Sequence, residues 1–308
     1  MHPAVRTGCA IAIAVPLLSA HAAELQRTYV ASDGSDANPC TLGSPCRSFA
    51  AAQATTVSGG EIVALDAAGY GAITIDRSIA ILANPGYYAG ISASSGSAIA
   101  IGAPGVNVRL SGLKINGIGA ATSGIAMSNG ASLTIEGCTI SGFSANGVSV
   151  VSSAHVRILD TVISNNGQNG IYLRGGASAD IVNVTALGNA LTGILVEEVA
   201  GGTTTASVTA TVSSQNGAGF AVRSLTASGG IAKLIVANSN ADGNTGAGYS
   251  TNASGITAAT MLVSASKATR NGIGFLQSGA GTFKSSGGNV VSENAVAVSG
   301  AITPIPTI

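Results

Sequence analysis

Short apolar segments recur along most of this chain, and each begins directly after a Gly. The Gly residues are separated by intervals of 23, 23, 23, 26, 29 and 26 residues, and a degenerate copy, Ala297-Val298, follows after another 23. Apolar and polar side chains alternate within the segments, which is the period of a β-strand. The repeated pairs are Gly124-Ile125, Gly147-Val148, Gly170-Ile171, Gly193-Ile194, Gly219-Phe220, Gly248-Tyr249 and Gly274-Phe275.

Each repeat also contains a second apolar segment, such as VRILDTVI or DIVNVTAL, so one unit carries at least two short strands joined by turns. Such a unit cannot bury its own apolar face, but stacked units share one continuous core. A leucine-rich repeat needs a fixed Leu pattern, and a propeller blade needs about 40 residues. The repeat therefore predicts an all-β, single-stranded right-handed parallel β-helix over residues 61–308, with 23–29 residues per coil.

The first 22 residues have the features of a secretory signal peptide. Arg6 precedes the apolar run CAIAIAVPLL, and the small residues of AHA end at Ala22, where we expect cleavage. The run is too short to span a bilayer, and no later segment is long enough. The sequence thus predicts a secreted or periplasmic protein without a membrane span.

Residues 23–60 are predicted to form a strand at Tyr29, a disulfide loop and a capping helix. Cys40 and Cys46 are expected to pair in an exported protein, because no His lies close enough to favour zinc. The helix is predicted from about residue 47 to residue 56, with Ser44 or Ser48 as its N-cap. It would cover the open end of the coil. Cys138, in an apolar repeat, is expected to be buried.

The segments YVASDGSDANPCTLGSPCRSFAAA and YGAITIDRSIAILA resemble right-handed β-helix proteins of the pectate-lyase-like superfamily. The resemblance covers nearly all of the chain after the signal peptide, and it implies the fold more strongly than an activity, since that superfamily contains lyases, hydrolases and adhesins. It implies that catalysis would require clustered carboxylates, with an Arg or Lys, or a His, on one sheet. The carboxylates of this chain are spread at mostly one per coil. We therefore assign no catalytic residues, no metal and no cofactor.

Composition narrows the choice of partners. The chain has 43 Gly and no Trp, and only 8% of its residues are charged. Loss of Arg6 with the signal peptide would leave 12 basic and 13 acidic residues, a net charge of −1. No basic stripe exists to neutralise phosphates, so we expect no nucleic-acid partner.

One outward patch breaks the uniformity of the repeat. Counting from each Gly predicts that Arg174, Glu197 and Arg223 stack about 4.8 Å apart on successive strands, with Tyr172 beside them and Glu198 at the margin. Two interpretations remain open. The cations and the Tyr ring suit an acidic or carbohydrate ligand, but the same residues suit a surface ion-pair ladder, worth about 0–1 kcal/mol per pair.

Other polar residues are predicted to have structural roles. Arg157 and Asp180 should face each other on another sheet. Asp33, Asp36 and Asn38 should form a turn that bonds backbone amides, with a calcium loop as the alternative. A ladder of amide side chains is expected at the turn before the Gly, where an Asn recurs once per coil: Asn166, Asn189, Asn216, Asn244, Asn271 and Asn294.

The sequence supports three hypotheses for function. The first is a non-catalytic surface or periplasmic scaffold that binds a carbohydrate or a cell-surface partner. The second is a polysaccharide lyase or glycoside hydrolase acting on acidic polysaccharide at the patch. The third is a passenger-type adhesin, against which the two Pro residues of the tail GAITPIPTI speak, because they are expected to blunt the last coil.

Overall fold

The computed structural model describes residues 25–225, 229–255 and 258–306. The predicted signal peptide and its cleavage point lie outside these residues. The described chain winds into a right-handed solenoid of about nine turns with three faces, and all of its sheet pairings between named strands are parallel. This confirms the predicted fold class, and the paired strands follow the register predicted from the Gly positions: Val148 faces Ile171, which faces Ile194.

The first face is a sheet of twelve strands: Leu25–Val30, Thr56–Ala64, Ile79–Ala83, Asn107–Ser111, Ser132–Glu136, His155–Leu159, Ser178–Val182, Thr203–Thr209, Ile231–Ala237, Ala258–Ser264, Thr282–Ser285 and Ile302–Pro304. The second face contains shorter strands: Ala68–Gly69, Thr139–Ser141, Val162–Ser164, Thr185–Leu187, Val212–Ser214, Asn240–Asp242, Lys267–Thr269 and Val290–Ser292.

The third face is formed by Ile73–Ile75, Val148–Val151, Ile171–Arg174, Thr192–Glu198, Ala218–Ser224, Ala247–Ala253, Ile273–Gly279 and Val296–Ser299. Two long strands, Ala89–Ile101 and Leu113–Met127, pair with strands of both the second and the third face. The second and third faces are therefore one bent sheet.

Alternation along each strand sends apolar side chains into the solenoid. Ile171 and Leu173 are fully buried, whereas Tyr172 and Arg174 between and after them are only partly covered. In the later coils the inward positions hold aromatic rings. The ring centroids of Phe220 and Tyr249 lie 5.0 Å apart in a stacked arrangement, and Phe275 meets Tyr249 edge-on at 5.5 Å. Such ring pairs stabilise the folded state beyond what the burial of their apolar surface contributes.

The turn between the second and third faces contains a continuous row of Asn amides. Asn166 Nδ2 donates to Asn189 Oδ1 at 2.9 Å, and the same bond recurs from coil to coil as far as Asn294. From Asn189 onwards each Oδ1 also accepts the backbone N–H of the preceding Asn, as in the 2.8 Å bond from Asn189 N to Asn216 Oδ1. These bonds satisfy turn amides that no strand can pair.

A hydroxyl row at the turn between the first and second faces was not predicted. Thr211 Oγ1 accepts the N–H of Val184, Ser239 Oγ accepts the N–H of Thr211, and Ser266 Oγ accepts the N–H of Ser239. Its members vary among Thr, Ser and Asn289, so the row does not appear as a repeated letter in the sequence.

The N-terminal segment contains the single helix of the described residues, Phe49–Thr55, with Ser48 as its N-cap. Asp36 supports this helix start, because its Oδ1 accepts the N–H groups of Arg47 and Ser48. The predicted disulfide joins Cys40 and Cys46. Asn38 donates from Nδ2 to Pro45 O at 2.8 Å and so holds the same loop.

Candidate functional site

The structure brings four of the five predicted patch residues together on the third face. Tyr172 and Arg174 lie on Ile171–Arg174, Glu197 on Thr192–Glu198 and Arg223 on Ala218–Ser224. Glu197 faces Arg223 directly across the two strands. We call Tyr172, Arg174, Glu197 and Arg223 the arginine patch.

Glu197 is the centre of the arginine patch. One carboxylate oxygen accepts a hydrogen bond from the Tyr172 hydroxyl, and the other lies 2.5 Å from Arg223 Nε. The Glu197 residue is only 7% exposed, whereas the Arg223 side chain is 43% exposed. The carboxylate is therefore fixed between two donors, and the outer edge of the Arg223 guanidinium is left open to solvent.

Arg174 lies over the Tyr172 ring. Its Cζ is 5.9 Å from the ring centroid, and Nη1 is 3.5 Å from the Tyr172 hydroxyl, an arrangement typical of a cation–π contact. Among the described residues, no carboxylate forms an ion pair with Arg174. Arg174 is therefore held by the Tyr172 side chain and not by an ion pair.

Burial, and then the hydrogen bond to Glu197, raise the pKa of Tyr172 to about 12. The cause is that ionisation would place a phenolate beside a carboxylate in a partly desolvated site. Tyr172 is therefore a neutral hydrogen-bond donor at ordinary pH.

Glu198, predicted at the margin of the patch, turns away from it. Its carboxylate is fully buried and accepts hydrogen bonds from the Thr204 hydroxyl at 2.6 Å and from the N–H groups of Val199 and Ala200. Burial alone raises the pKa of Glu198, but these hydrogen bonds outweigh it and hold that pKa below its ordinary value. Glu198 thus organises the inserted turn that follows it.

This geometry suits binding better than general base catalysis. A base must be free to accept a proton, and both Glu197 oxygens are already engaged. The neighbouring carboxylate, Glu198, points into the turn, so the two do not form the facing pair that hydrolysis of a glycosidic bond needs. Within residues 25–225, 229–255 and 258–306, no three His, Cys, Asp or Glu side chains are grouped closely enough to hold a metal ion.

Two further predictions concern residues outside the arginine patch. Arg157 and Asp180 do face each other on the first face, but the described contact of Asp180 is with His155, whose Nε2 lies 3.9 Å from Oδ2. Cys138 is buried, and that burial raises its pKa to about 11, so its thiol is not a poised nucleophile.

Sequence reasoning missed two surface features. A groove of about 520 Å³ lies on the outer side of the first face, lined by Ser58, Gly59, Ser78, Ile79, Ala80, Asn107, Val108, Arg109, Ser132 and Thr134. A second groove, of about 320 Å³, is formed beside Tyr87 and Tyr88 in the turn after Ile79–Ala83. The exposed YY pair in this inserted turn was the available signal for the second groove.

The fold and the sequence together define the class of protein. Residues 89–260, more than half of the chain, match the model of the right-handed beta helix region. The chain belongs to this right-handed β-helix family.

Solved structures show the same architecture. The chain is similar to the pectate lyase Pel9A, with a TM-score of 0.68 and 15% identity over 91% of this chain and 79% of that one. It is also similar to tailspike protein 2 from Escherichia coli O157:H7 bacteriophage CAB120, with a TM-score of 0.54 and 13% identity. That match covers 90% of this chain and 41% of the tailspike. At these identities the likeness shows the fold alone.

No curated protein matches the chain. Among the described residues, no helix has the length and apolar character that would let it cross a membrane.

Proposed function

We propose that this protein is an exported, non-catalytic scaffold that binds an acidic glycan at the arginine patch. The observation that carries the proposal is the engagement of Glu197 by Tyr172 and Arg223. That engagement occupies both oxygens of the carboxylate, while the Arg223 side chain stays partly exposed and Arg174 has no ion-pair partner among the described residues.

The patch has the groups that an acidic sugar would need. A guanidinium can bind a carboxylate or sulfate through two parallel N–H donors. Arg174 is held over the Tyr172 ring, so less conformational freedom is lost when a ligand binds. The solenoid supplies a rigid base, since each of the four residues is paired with a residue of a neighbouring strand.

The alternative is a polysaccharide lyase or glycoside hydrolase, and the similar solved structure Pel9A is named as a pectate lyase. It would require that an acidic polysaccharide be cleaved at the patch. Incubation with acidic polysaccharides, with and without calcium, followed by ultraviolet absorbance of unsaturated products and by reducing-end analysis, separates the two proposals. Cleavage that is lost in an Arg174→Ala, Glu197→Ala double variant would support the enzyme and overturn the scaffold.

An array of neutral, carboxylated and sulfated glycans tests the proposed ligand class. We expect retention of acidic glycans by the wild-type protein and its loss in Arg174→Ala. The matched control is Arg157→Ala, because Arg157 is an exposed Arg on the first face that also has no ion-pair partner among the described residues. Equal retention by Arg174→Ala and Arg157→Ala would contradict the assignment of the patch.

Export has its own test. Expression with a secretion-competent host should yield a secreted or periplasmic protein whose first residue is Ala23, measured by N-terminal sequencing. Retention of the intact N-terminus in the cytoplasm would contradict export.

A further inference from the structure

We propose a second saccharide site at the turn that carries Tyr87 and Tyr88, which takes an acidic sugar with its ring against Tyr88 and its carboxylate on Lys114. The site lies on the second face, near the N-terminal end, and does not rest on the proposed function of the arginine patch. The groove there has a volume of about 320 Å³, at the lower end of the roughly 300–1,000 Å³ typical of small-molecule sites.

The two Tyr rings are unusual for this chain. Tyr87 is 45% exposed and Tyr88 is 48% exposed, and they are the exposed aromatic side chains of the described residues. The Phe rings of the described residues are all buried in the core. Adjacent rings exposed in a groove, with polar neighbours, indicate recognition of a ligand with both an apolar face and polar edges.

Tyr88 is held in place by the backbone beside its ring and by a hydrogen bond to its hydroxyl. A Cβ added at Gly90 would lie 2.5 Å from Tyr88 Cε1, so the ring lies close against the Gly90 backbone. Asn116 Nδ2 donates to the Tyr88 hydroxyl at 3.1 Å. Nearly half of the Tyr88 surface is exposed, and the hydroxyl proton remains free to donate to a ligand.

The orientation of Asn116 and the backbone of the turn are fixed as well. Asn116 Oδ1 accepts from Ser141 Oγ at 3.2 Å, which leaves Nδ2 for Tyr88. The turn is tied to the solenoid by the 2.9 Å bond from Ala68 N to Tyr88 O. The position of the Tyr88 ring is thus fixed before a ligand binds, which lowers the entropy lost on binding. We call Tyr88, Gly90 and Asn116 the platform.

Lys114 determines the class of ligand. It is the one charged residue that the described part of the chain places in the lining of the groove, and Nζ donates to the neutral Thr139 hydroxyl at 2.9 Å. Among the described residues, no carboxylate is paired with Lys114. The groove floor, next to Gly112 and Gly137, adds no negative charge. An uncompensated ammonium beside an aromatic face fits a carboxylated pyranose better than a neutral one.

The test uses the full-length mature protein with 13C-labelled Tyr rings, titrated with trigalacturonate and separately with neutral galactotriose. We expect the Tyr87 and Tyr88 resonances to shift saturably with trigalacturonate, also in an Arg174→Ala variant. The Tyr172 resonance in the same sample reports on the arginine patch separately. Failure of one site is therefore distinguishable from failure of the other.

Three variants complete the test. Lys114→Met should weaken binding measured at Tyr88 by about tenfold, and Tyr88→Ala should weaken binding measured at Tyr87 by a similar factor. Lys267→Met is the matched control, because Lys267 occupies the same outward column of the second face six strands further along. Lys267→Met should leave the affinity unchanged.

Gly90→Ala tests the positioning role of the backbone beneath the ring. The added methyl must displace the Tyr88 ring, so affinity should fall although no contacting side chain is removed. The proposal is overturned if neither Tyr resonance shifts, if Lys114→Met binds as tightly as Lys267→Met, or if galactotriose binds as tightly as trigalacturonate.

Discussion

The side-chain amide of Asn189 donates to Oδ1 of Asn216 at 2.9 Å, and the backbone N–H of Asn189 donates to the same oxygen at 2.8 Å. One buried oxygen therefore satisfies two donors of the preceding coil. Asn216 repeats the relationship with Asn244, so each Asn links the turns on either side of it. The row connects six coils along one edge of the solenoid.

Asn216→Ala should lower the free energy of unfolding by about 1–3 kcal/mol, because it leaves buried donors of Asn189 without an acceptor. Gln168→Ala, at an exposed position in the same type of turn, is the control and should change that free energy by less than about 0.5 kcal/mol. Urea unfolding followed by circular dichroism measures both. Equal midpoints for the two variants would show that the row does not stabilise the fold.

Ala210→Gly should be neutral or stabilising by up to about 1 kcal/mol. Ala210 has φ of 51°, in the left-handed region that costs an L-residue about 1–2 kcal/mol, whereas Gly loses only about 0.5–1 kcal/mol of backbone entropy relative to Ala. Ala186→Gly, on a buried strand position, should be destabilising. Thermal unfolding that shows the same loss for both variants would contradict this assignment of strain.

Stability should fall at alkaline pH in part through Tyr172. Its pKa is raised from 10.0 to about 12, so its neutral form is favoured in the folded state. The stability that Tyr172 contributes in this way is fully present below pH 10 and is lost as pH rises towards 12. Tyr172→Phe should therefore lose less stability over this range than the wild type, as measured by urea midpoints. Equal loss of stability in Tyr172→Phe and the wild type between pH 10 and pH 12 would contradict this role of Tyr172.

Glu198→Gln should destabilise the protein at neutral pH by about 1.5–3 kcal/mol, because an amide cannot accept all the hydrogen bonds that the carboxylate accepts. The pKa of Glu198 is lowered from 4.5, so its contribution is present above pH 4.5 and is lost as pH falls through the lowered value. The difference in the free energy of unfolding between Glu198→Gln and the wild type should therefore become smaller as pH falls below 4.5.

Glu136→Gln provides the comparison for Glu198→Gln. Glu136 forms an exposed pair with Arg109, and its loss should cost at most about 1 kcal/mol. A pH-independent difference between wild type and Glu198→Gln, or an equally large effect of Glu136→Gln, would contradict the buried role of Glu198.

Much of the fold could be predicted because a solenoid repeats its register. The spacing of the Gly-apolar pairs placed Glu197 beside Arg223, and the structure has the same neighbours. The direction of Glu198 follows from the same strand, because it is the residue after Glu197 on Thr192–Glu198 and alternation turns it to the opposite side. The partner of its carboxylate could not be predicted, because Thr204 lies beyond an inserted turn of irregular length.

Local competition among side chains also limited the prediction. Arg157 and Asp180 face each other as the repeat indicates, but His155 lies on the same outward side and reaches the Asp180 carboxylate. The platform at Tyr88 depends on the absence of a side chain at Gly90 and on the amide of Asn116, more than 20 residues away. Neither relationship is visible as a local motif.

We propose that the arginine patch binds an acidic glycan without cleaving it. The most direct measurement is calorimetric titration of the mature protein with acidic oligosaccharides of defined length, followed by size analysis of the recovered sugar. We expect saturable binding that is lost in Arg174→Ala and kept in Arg157→Ala, with every oligosaccharide recovered at its original length. Shortened oligosaccharides, or binding that Arg174→Ala leaves intact, would contradict it.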